Sequence, residues 1–279
     1  TTLQEQQRQF LQPSVHTRTP IGADMQWRFN AARVTRNPNV WDLLNRSTPS
    51  QGSNSISNPD NAGNPALRSE VANTFDTGIE AKLGNSGQMG AGVFVRQLSD
   101  VIATTSTLTA GRWVAQANNV GSATVWGIET DAKTGLTALG LGSDWTLSTN
   151  ASILQSRMTA GSTVGSRIPG QARYLVNINA AKPLRRTGGW FGGASMSMVG
   201  AADLDTSAGI TGTDRARRTV DLYIGRVNPN WGYWRIGIFN IGDAKHVRDR
   251  YYTSGGTAFQ DSTVVNYTPR VYFTVGTQF

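Results

Sequence analysis

Apolar and polar residues alternate along most of this chain, the period of β-strands with one greasy and one wet face. In residues 269–279, Val271, Phe273, Val275, Thr277 and Phe279 fall on one side, with Arg270, Tyr272, Thr274, Gly276 and Gln278 on the other. A weaker alternation over 10–19 predicts a first strand, and Met25, Trp27, Phe29 and Ala31 against Gln26, Arg28 and Asn30 predict a second. Further on, Phe75, Ile79, Ala81 and Leu83 oppose Thr74, Asp76, Gly78, Glu80 and Lys82, and a short turn leads into Met89, Ala91, Val93 and Val95. Trp126 and Ile128, Trp145 to Ile153, Tyr174 to Ala180, Trp190 to Met198, Val220 to Ile224, and Trp234 to Ile238 repeat the pattern.

About eleven strands result, joined by connections that are alternately short and long. The long ones are predicted at 36–72, 99–120, 159–170, 201–214 and 242–263. Segregation of loop lengths to opposite ends is the habit of transmembrane barrels, with short periplasmic turns and long external loops. If residue 279 lies at the periplasmic rim, every long loop is external. A chain closing on Phe279 suits the aromatic girdle of such a barrel. The expected fold is therefore all-β: an antiparallel transmembrane β-barrel whose eleven or so strands form the C-terminal half of a barrel of about 22 strands.

Composition narrows the alternatives. Only 38% of the 279 residues are hydrophobic, with 31 Gly, 8 Trp and no Cys. No run approaches the ~20 apolar residues of a membrane helix, whereas a barrel needs apolar residues only at alternate positions. The absence of Cys removes disulfides and thiolate metal sites. The net charge of +8 raises nucleic acid as a partner, but no basic run or aromatic and basic RNA motif accompanies it. The opening residues 1–10 have neither the basic start nor the apolar centre of a signal peptide.

A family resemblance rests on five segments in order: Arg36-Asn37-Pro38-Asn39 with 41–44, 58–59, 70–74 and 78–80; Asn119-Val120-Gly121 to Trp126-Gly127-Ile128-Glu129; Ile168-Pro169-Gly170; Phe239-Asn240-Ile241-Gly242-Asp243; and 269–279. Together they resemble the barrel of TonB-dependent outer-membrane receptors. The resemblance implies uptake of a scarce ligand such as a ferric siderophore across the bacterial outer membrane, without a cofactor. It also implies a plug domain, the inner-membrane TonB system, and contact with membrane lipid and lipopolysaccharide. Neither plug nor TonB box is visible, so residues 1–279 are expected to be the C-terminal half of the barrel alone. An odd strand number leaves two open edges, each costing on the order of tens of kcal/mol in lipid. A partner is therefore expected to supply the N-terminal plug and remaining strands. The alternatives are a homodimeric barrel, and a structural component anchoring a larger complex without transport.

Strand parity places Arg28, Arg96, Arg173, Arg217, Arg235 and Arg270 toward the lumen, with Glu80 and Glu129 as candidate plug contacts. Guanidinium groups suit an anionic ligand, and pairing with luminal acids or the plug is the structural alternative. In the external loops Trp41, Trp113, Arg248, Tyr251 and Tyr252 are candidate first contacts, because aromatic and Arg side chains dominate binding hot spots. Catalysis has little to stand on: His16 and His246 are the two histidines, and only His246 has a nearby acid in sequence, Asp243. A zinc site is equally unsupported.

Overall fold

The computed structural model describes residues 9–84, 87–139, 144–161, 164–185, 188–204, 210–254 and 256–277. In chain order the elements are β1 (Ser14–Pro20), β2 (Met25–Arg36), a four-residue helix α1 (Val40–Leu43), β3 (Ser47–Thr48), β4 (Asp60–Ala62), β5 (Glu70–Leu83), β6 (Gly87–Thr109) and β7 (Arg112–Gly135). A 3-10 turn (Leu136–Leu139) precedes β8 (Thr146–Gly161), β9 (Tyr174–Lys182), β10 (Gly189–Val199), β11 (Ala202–Asp203), β12 (Ile210–Asp214), β13 (Arg217–Asn228), β14 (Gly232–Phe239), β15 (Lys245–Ser254), β16 (Thr257–Asn266) and β17 (Arg270–Gly276). Thirteen strands share one sheet; apart from the short loop strands β3 and β4 they run β1-β2-β5-β6-β7-β8-β9-β10-β13-β14-β17. Every neighbour on that path is antiparallel, and no ladder joins β1 to β17 among the described residues. The sheet is an open, partial barrel.

Alternation decides which face is which. Val271 and Phe273 are 69% and 66% exposed on the outer face, while their neighbour Tyr272 is half-buried on the inner one. Apolar side chains left in water forgo about 1.5–3 kcal/mol each, so an outer face built of Phe75, Ile79, Val93, Ile128, Ile153, Ile224 and Ile236 is a lipid face. Trp190 and Trp234 meet edge-to-face at 5.8 Å near the end of the sheet that carries the short turns, with Arg226 over Trp190 at 5.6 Å. That cluster is an interfacial girdle. Phe279, read from sequence as the last member of such a girdle, lies outside the described residues.

Two long stretches expected to be loops are mostly strand, and a third, 201–214, holds β11 and β12. Residues 99–120 are the upper halves of β6 and β7, which continue past the membrane as one hairpin; residues 242–263 hold most of β15 and β16, in a separate four-stranded sheet ordered β11-β12-β15-β16. Both faces of these strands meet water or polar loops, so their side chains do not alternate in polarity. The first strand, expected at 10–19, is paired over Ser14–Pro20.

The projecting hairpin leaves the barrel wall at a bulge. Register shifts fall between Leu98, Val101 and Ile102, where Asp100 takes φ 57°, and β7 shifts against β8 at Ser122/Ala123. Gly121 and Gly161 face each other there; a Cβ on Gly121 would come 2.0 Å from the Ala160 carbonyl oxygen. Below the bulge Val101, Ala123 and Met158 pack together, with Met158 1% exposed. The core of this partial barrel is that knot, which fixes the angle of the external hairpin.

Candidate functional site

On the inner wall, cross-strand register turns the sequence into rows. Arg18, Arg28, Gly78, Gly92 and Glu129 form one row, with His16, Asn30, Asp76, Phe94 and Gly127 above it and Gln26, Glu80, Gly90 and Asp131 below. Glu80 joins two of these, accepting from Gln26 at 2.5 Å and pairing with Arg28 at 3.0 Å; Asn30 donates to Asp76 at 3.3 Å. Arg18 stands directly opposite Arg28 in the ladder, and only Arg28 pairs with Glu80 among the described residues. Arg96 lies over the Phe94 ring at 4.6 Å and has no ion pair to a described residue. Arg18, Arg28, Arg96 and Glu129 line a cavity of about 1320 Å³ against this wall.

Farther round, aromatic side chains lie across glycines of the neighbouring strand. Phe94 faces Gly127, Phe191 faces Gly225, Tyr223 faces Gly193, Tyr233 faces Gly276, and Tyr272 faces Gly237, each as a direct register partner. A Cβ on Gly237 would sit 2.5 Å from Tyr272 Cζ, and one on Gly225 2.4 Å from Phe191 Cζ. The glycine makes room for the ring, and the ring covers the exposed backbone. Arg235 is held between two of these rings, 5.1 Å from Tyr272 and 5.7 Å from Tyr223, with no acid beside it among the described residues.

Above the wall, residues 37–69 are docked onto the β6–β7 hairpin. Arg112 grips Asp60 in bidentate fashion at 2.7 and 2.8 Å, and the Ser50 amide adds a third donor at 2.8 Å. The Arg112 guanidinium, helped by Ser50, holds the Asp60 carboxyl well below the usual carboxylate range. The Asn54 side chain brackets the Trp113 backbone, accepting from N at 2.7 Å and donating to O at 2.9 Å. Farther down Asn64 donates to the Ala117 carbonyl, Asn119 on the hairpin brackets the Arg68 backbone in turn, and Glu70 accepts from the Ile102 amide at 2.5 Å while pairing with Arg36. Local chemistry favours this: Asn39 caps α1 through the Trp41 amide, and β4 adds a parallel strand to β7.

The second external unit is pinned by two ion pairs. Arg248 holds Asp214 at 2.7 and 2.9 Å, and Arg215 holds Asp249 at 2.6 Å with Ser262 donating to it at 2.6 Å. Arg248 draws the Asp214 carboxyl down against the opposing effect of burial, and Arg215 draws Asp249 down. His246 Nε2 is 3.3 Å from Asp214, not beside Asp243, whose own backbone closes a turn onto Asn240 at 3.0 Å. The base and acid read from sequence are therefore apart. Among the described residues no group of three His, Cys, Asp or Glu is placed to hold a metal ion.

The expected lumen residues are distributed along the whole sheet. Arg28, Arg96 and Glu129 share the first cavity, with Glu80 paired to Arg28; Arg235 sits among the aromatics; Arg270 opens β17; and Arg173, just before β9, is tied to Asp203 at 3.1 Å. Of the outer-loop candidates, Trp41 is 64% exposed with Arg46 over its ring at 5.7 Å, and Trp113 is half-buried at the hairpin tip. Tyr251 is exposed, Tyr252 stacks on Phe259 at 5.4 Å, and Arg248 is engaged by Asp214. Sequence reading passed over Arg18, Asn30, Asp76 and the aromatic and glycine pairs. Only strand register brings those together.

A family model described as "TonB dependent receptor-like, beta-barrel" matches residues 5–241. Among solved structures, the copper transporter OprC superposes with a TM-score of 0.63 at 16% identity, over 94% of this chain and 38% of that one. The siderophore receptor PirA from Pseudomonas aeruginosa gives 0.60 at 16% identity, over 89% and 42%. The ferric enterobactin receptor PfeA gives 0.60 at 16%, over 83% and 35%. This chain thus spans well under half the length of these proteins, and at such identities the likeness establishes the fold. No curated protein sequence is similar enough to count as a relative.

Proposed function

We propose, because the chain belongs to the TonB-dependent receptor β-barrel family, that it is the C-terminal half of a barrel of about 22 strands. The family is one of outer-membrane receptors and transporters. In this reading a separate or preceding segment supplies the plug and the remaining strands, and the assembly takes up a scarce anionic ligand such as a ferric siderophore. Energy comes from the inner-membrane TonB system, and transport is gating of the lumen, with no bond chemistry.

The observation that carries this reading is the separation of side-chain types between the two faces. The outer face is apolar, and the inner one carries guanidinium groups without acids of their own, Arg96 and Arg235 above all. A purely structural anchor has no need of unpaired cations on an aromatic inner wall. The external platform, held by Asp60, Asn54 and Asn64, gives the ligand a rigid surface above that wall. Plug contacts fall to Glu129 and, once its pairing with Arg28 is accounted for, Glu80.

The test is uptake of radiolabelled ferric chelates by cells carrying the assembled receptor. Arg96→Gln and Arg235→Gln should each raise the concentration for half-maximal uptake about tenfold for an anionic chelate, and much less for a neutral one. Uptake that is unchanged by both substitutions, or that persists without TonB, would overturn this reading, and an assembled barrel that supports no uptake would favour the anchoring role.

A further inference from the structure

The external sheet repeats the barrel wall beneath it. β11 follows β10 after residues 200–201, β12 leads into β13 through 215–216, β15 follows β14 after 240–244, and β16 leads into β17 through 267–269. The lateral order is also the same, β11-β12-β15-β16 above and β10-β13-β14-β17 below. Four legs of the wall thus run on above the lipid as a second sheet, each interrupted once. Asn240, buried and at φ 52°, fastens two of the interruptions together. Its side chain brackets Ala244, accepting from N at 2.9 Å and donating to O at 3.2 Å, and it also donates to the Tyr267 carbonyl.

The two edges of this sheet differ. At β11 the segment before β9 covers the edge: the Gly170 amide donates to the Asp203 carbonyl at 2.8 Å, the Arg173 amide donates to the Ala201 carbonyl at 3.1 Å, and the Arg173 guanidinium pairs with the Asp203 carboxylate. At β16 no strand among the described residues lies on the outer side.

The ladder shows which groups are left open there. The Val247 carbonyl accepts from the Arg215 amide at 2.9 Å, so Val247 turns its backbone groups toward β12, and its neighbours His246 and Arg248 turn theirs toward β16. Their register partners are Val265 and Thr263. The alternate residues Ala258, Gln260, Ser262, Val264 and Asn266 then aim N–H and C=O away from the sheet. Natural edge strands are guarded by Lys, Pro, a bulge or short length. β16 has none of these guards: it is ten residues long in unbroken register, Asp261 is its only charge, and Phe259, Val264 and Val265 are exposed.

We propose that β16 pairs with a fifth strand, and that this strand is the upward continuation of the one that closes the barrel against β17. β15 continues β14, and β17 continues β16, so a single rising strand is antiparallel to both β17 and β16. The edge takes an extended backbone with β-branched or aromatic side chains opposite Phe259, Val264 and Val265. The inference rests on the reading that a further segment completes the barrel, and adds that backbone hydrogen bonds carry the seam about 33 Å beyond the wall.

The assembled receptor, in micelles, is exchanged into deuterated buffer and read residue by residue by mass spectrometry. The amides of Ala258, Gln260, Ser262, Val264 and Asn266 should exchange at least about 100-fold more slowly than free amides, as do those of Phe259, Asp261, Thr263 and Val265, which bond to β15. Val264→Pro should release Gln260 and Ser262 while Asp261 and Thr263 stay protected, because an edge strand tolerates Pro where the N–H points outward. Val265→Pro, which removes a bond to β15, should release both sets. Free exchange at the five outward amides of the wild type overturns the proposal, as does continued protection of Gln260 and Ser262 in Val264→Pro. Protection that grows with receptor concentration assigns the edge to a second copy and overturns it equally. Heat-modifiable migration on a cold gel reports barrel closure separately. A receptor without it sinks the closure reading, whereas a closed barrel with open outward amides sinks only the fifth strand.

Discussion

Gly237→Ala isolates what the aromatic and glycine pairs contribute. The new Cβ would stand 2.5 Å from both Cζ and Oη of Tyr272 and 2.6 Å from Cε1, and all three nearest atoms belong to that one ring. The ring must swing away, leaving Phe239, on which it stacks at 4.6 Å, and Arg235. Overpacking of this kind costs about 1–3 kcal/mol, and losing the stacked pair alone about 0.5–1.5 kcal/mol. Tyr272→Ala removes the obstacle, so the double variant should be less destabilised than the sum of the singles by about 1–2 kcal/mol. Gly225→Ala makes the control, because its Cβ would meet the Trp234 carbonyl oxygen at 2.4 Å as well as Phe191. Removing Phe191 leaves the backbone clash in place, and Phe191→Ala should rescue little. Urea titration of the assembled barrel in micelles, followed by tryptophan fluorescence, reads all six variants. Strict additivity in the Gly237 cycle, or equal rescue in both cycles, would refute the claim that ring and glycine were matched across the strands.

Met158→Ala empties the best-packed position of the barrel and should cost about 2–5 kcal/mol in the same titration; a loss under about 1 kcal/mol would mean the knot beneath the bulge is not a core. Asp60 is held below its ordinary value when docked, so its pairing with Arg112 contributes fully above the unfolded carboxylate value of about 4 and is lost only as pH falls through the lower folded value. Protease resistance of residues 37–69 should therefore hold at pH 5 and begin to fall only below about pH 4, and Asp60→Asn should abolish that resistance at neutral pH. Release of the loop already at about pH 5 would contradict the sign. Arg248→Gln should loosen the β12–β15 pairing, read as faster amide exchange at the Asp214 and Arg248 register positions; unchanged exchange would assign Arg248 to ligand contact instead.

Periodicity made the barrel legible, because burial on one side of a strand writes itself into alternate residues. From Met25 to Ala31 and from Val271 to Val275 nothing else was needed. The same logic hid the external strands: Ile102 to Thr109 reads as a polar loop because the hairpin meets water and a polar docked loop, neither of which asks for an apolar face. Side-chain partners were less legible still. Arg28 and Glu80 could be assigned to one face by counting, but Arg248 meets Asp214 across 34 residues, and His246 takes that same acid in place of the nearer Asp243. Contacts of this kind depend on register and on loops that cross between strands, neither of which is written in a local pattern.

Charge placement explains why that register is unique. A slip of one residue in a strand exchanges its two faces. Moving β7 by one residue against β6 would turn Glu129 and Asp131 out to lipid and bring Trp126 and Ile128 into the lumen. Each acid near the middle of a bilayer costs about 2.5–3.5 kcal/mol on insertion scales, before the lost burial of the apolar pair is counted. β5 would incur the same penalty through Asp76 and Glu80. The inward acids therefore also forbid the competing registers, whereas the upper halves of β6 and β7 stand outside the lipid and carry no such guard. That is where the structure places its bulge, and where Asn54 and Asn64 bond to the hairpin's backbone from outside while Asn119 on the hairpin holds the Arg68 backbone. Charge fixes the register inside the membrane, and directional hydrogen bonds take over above it.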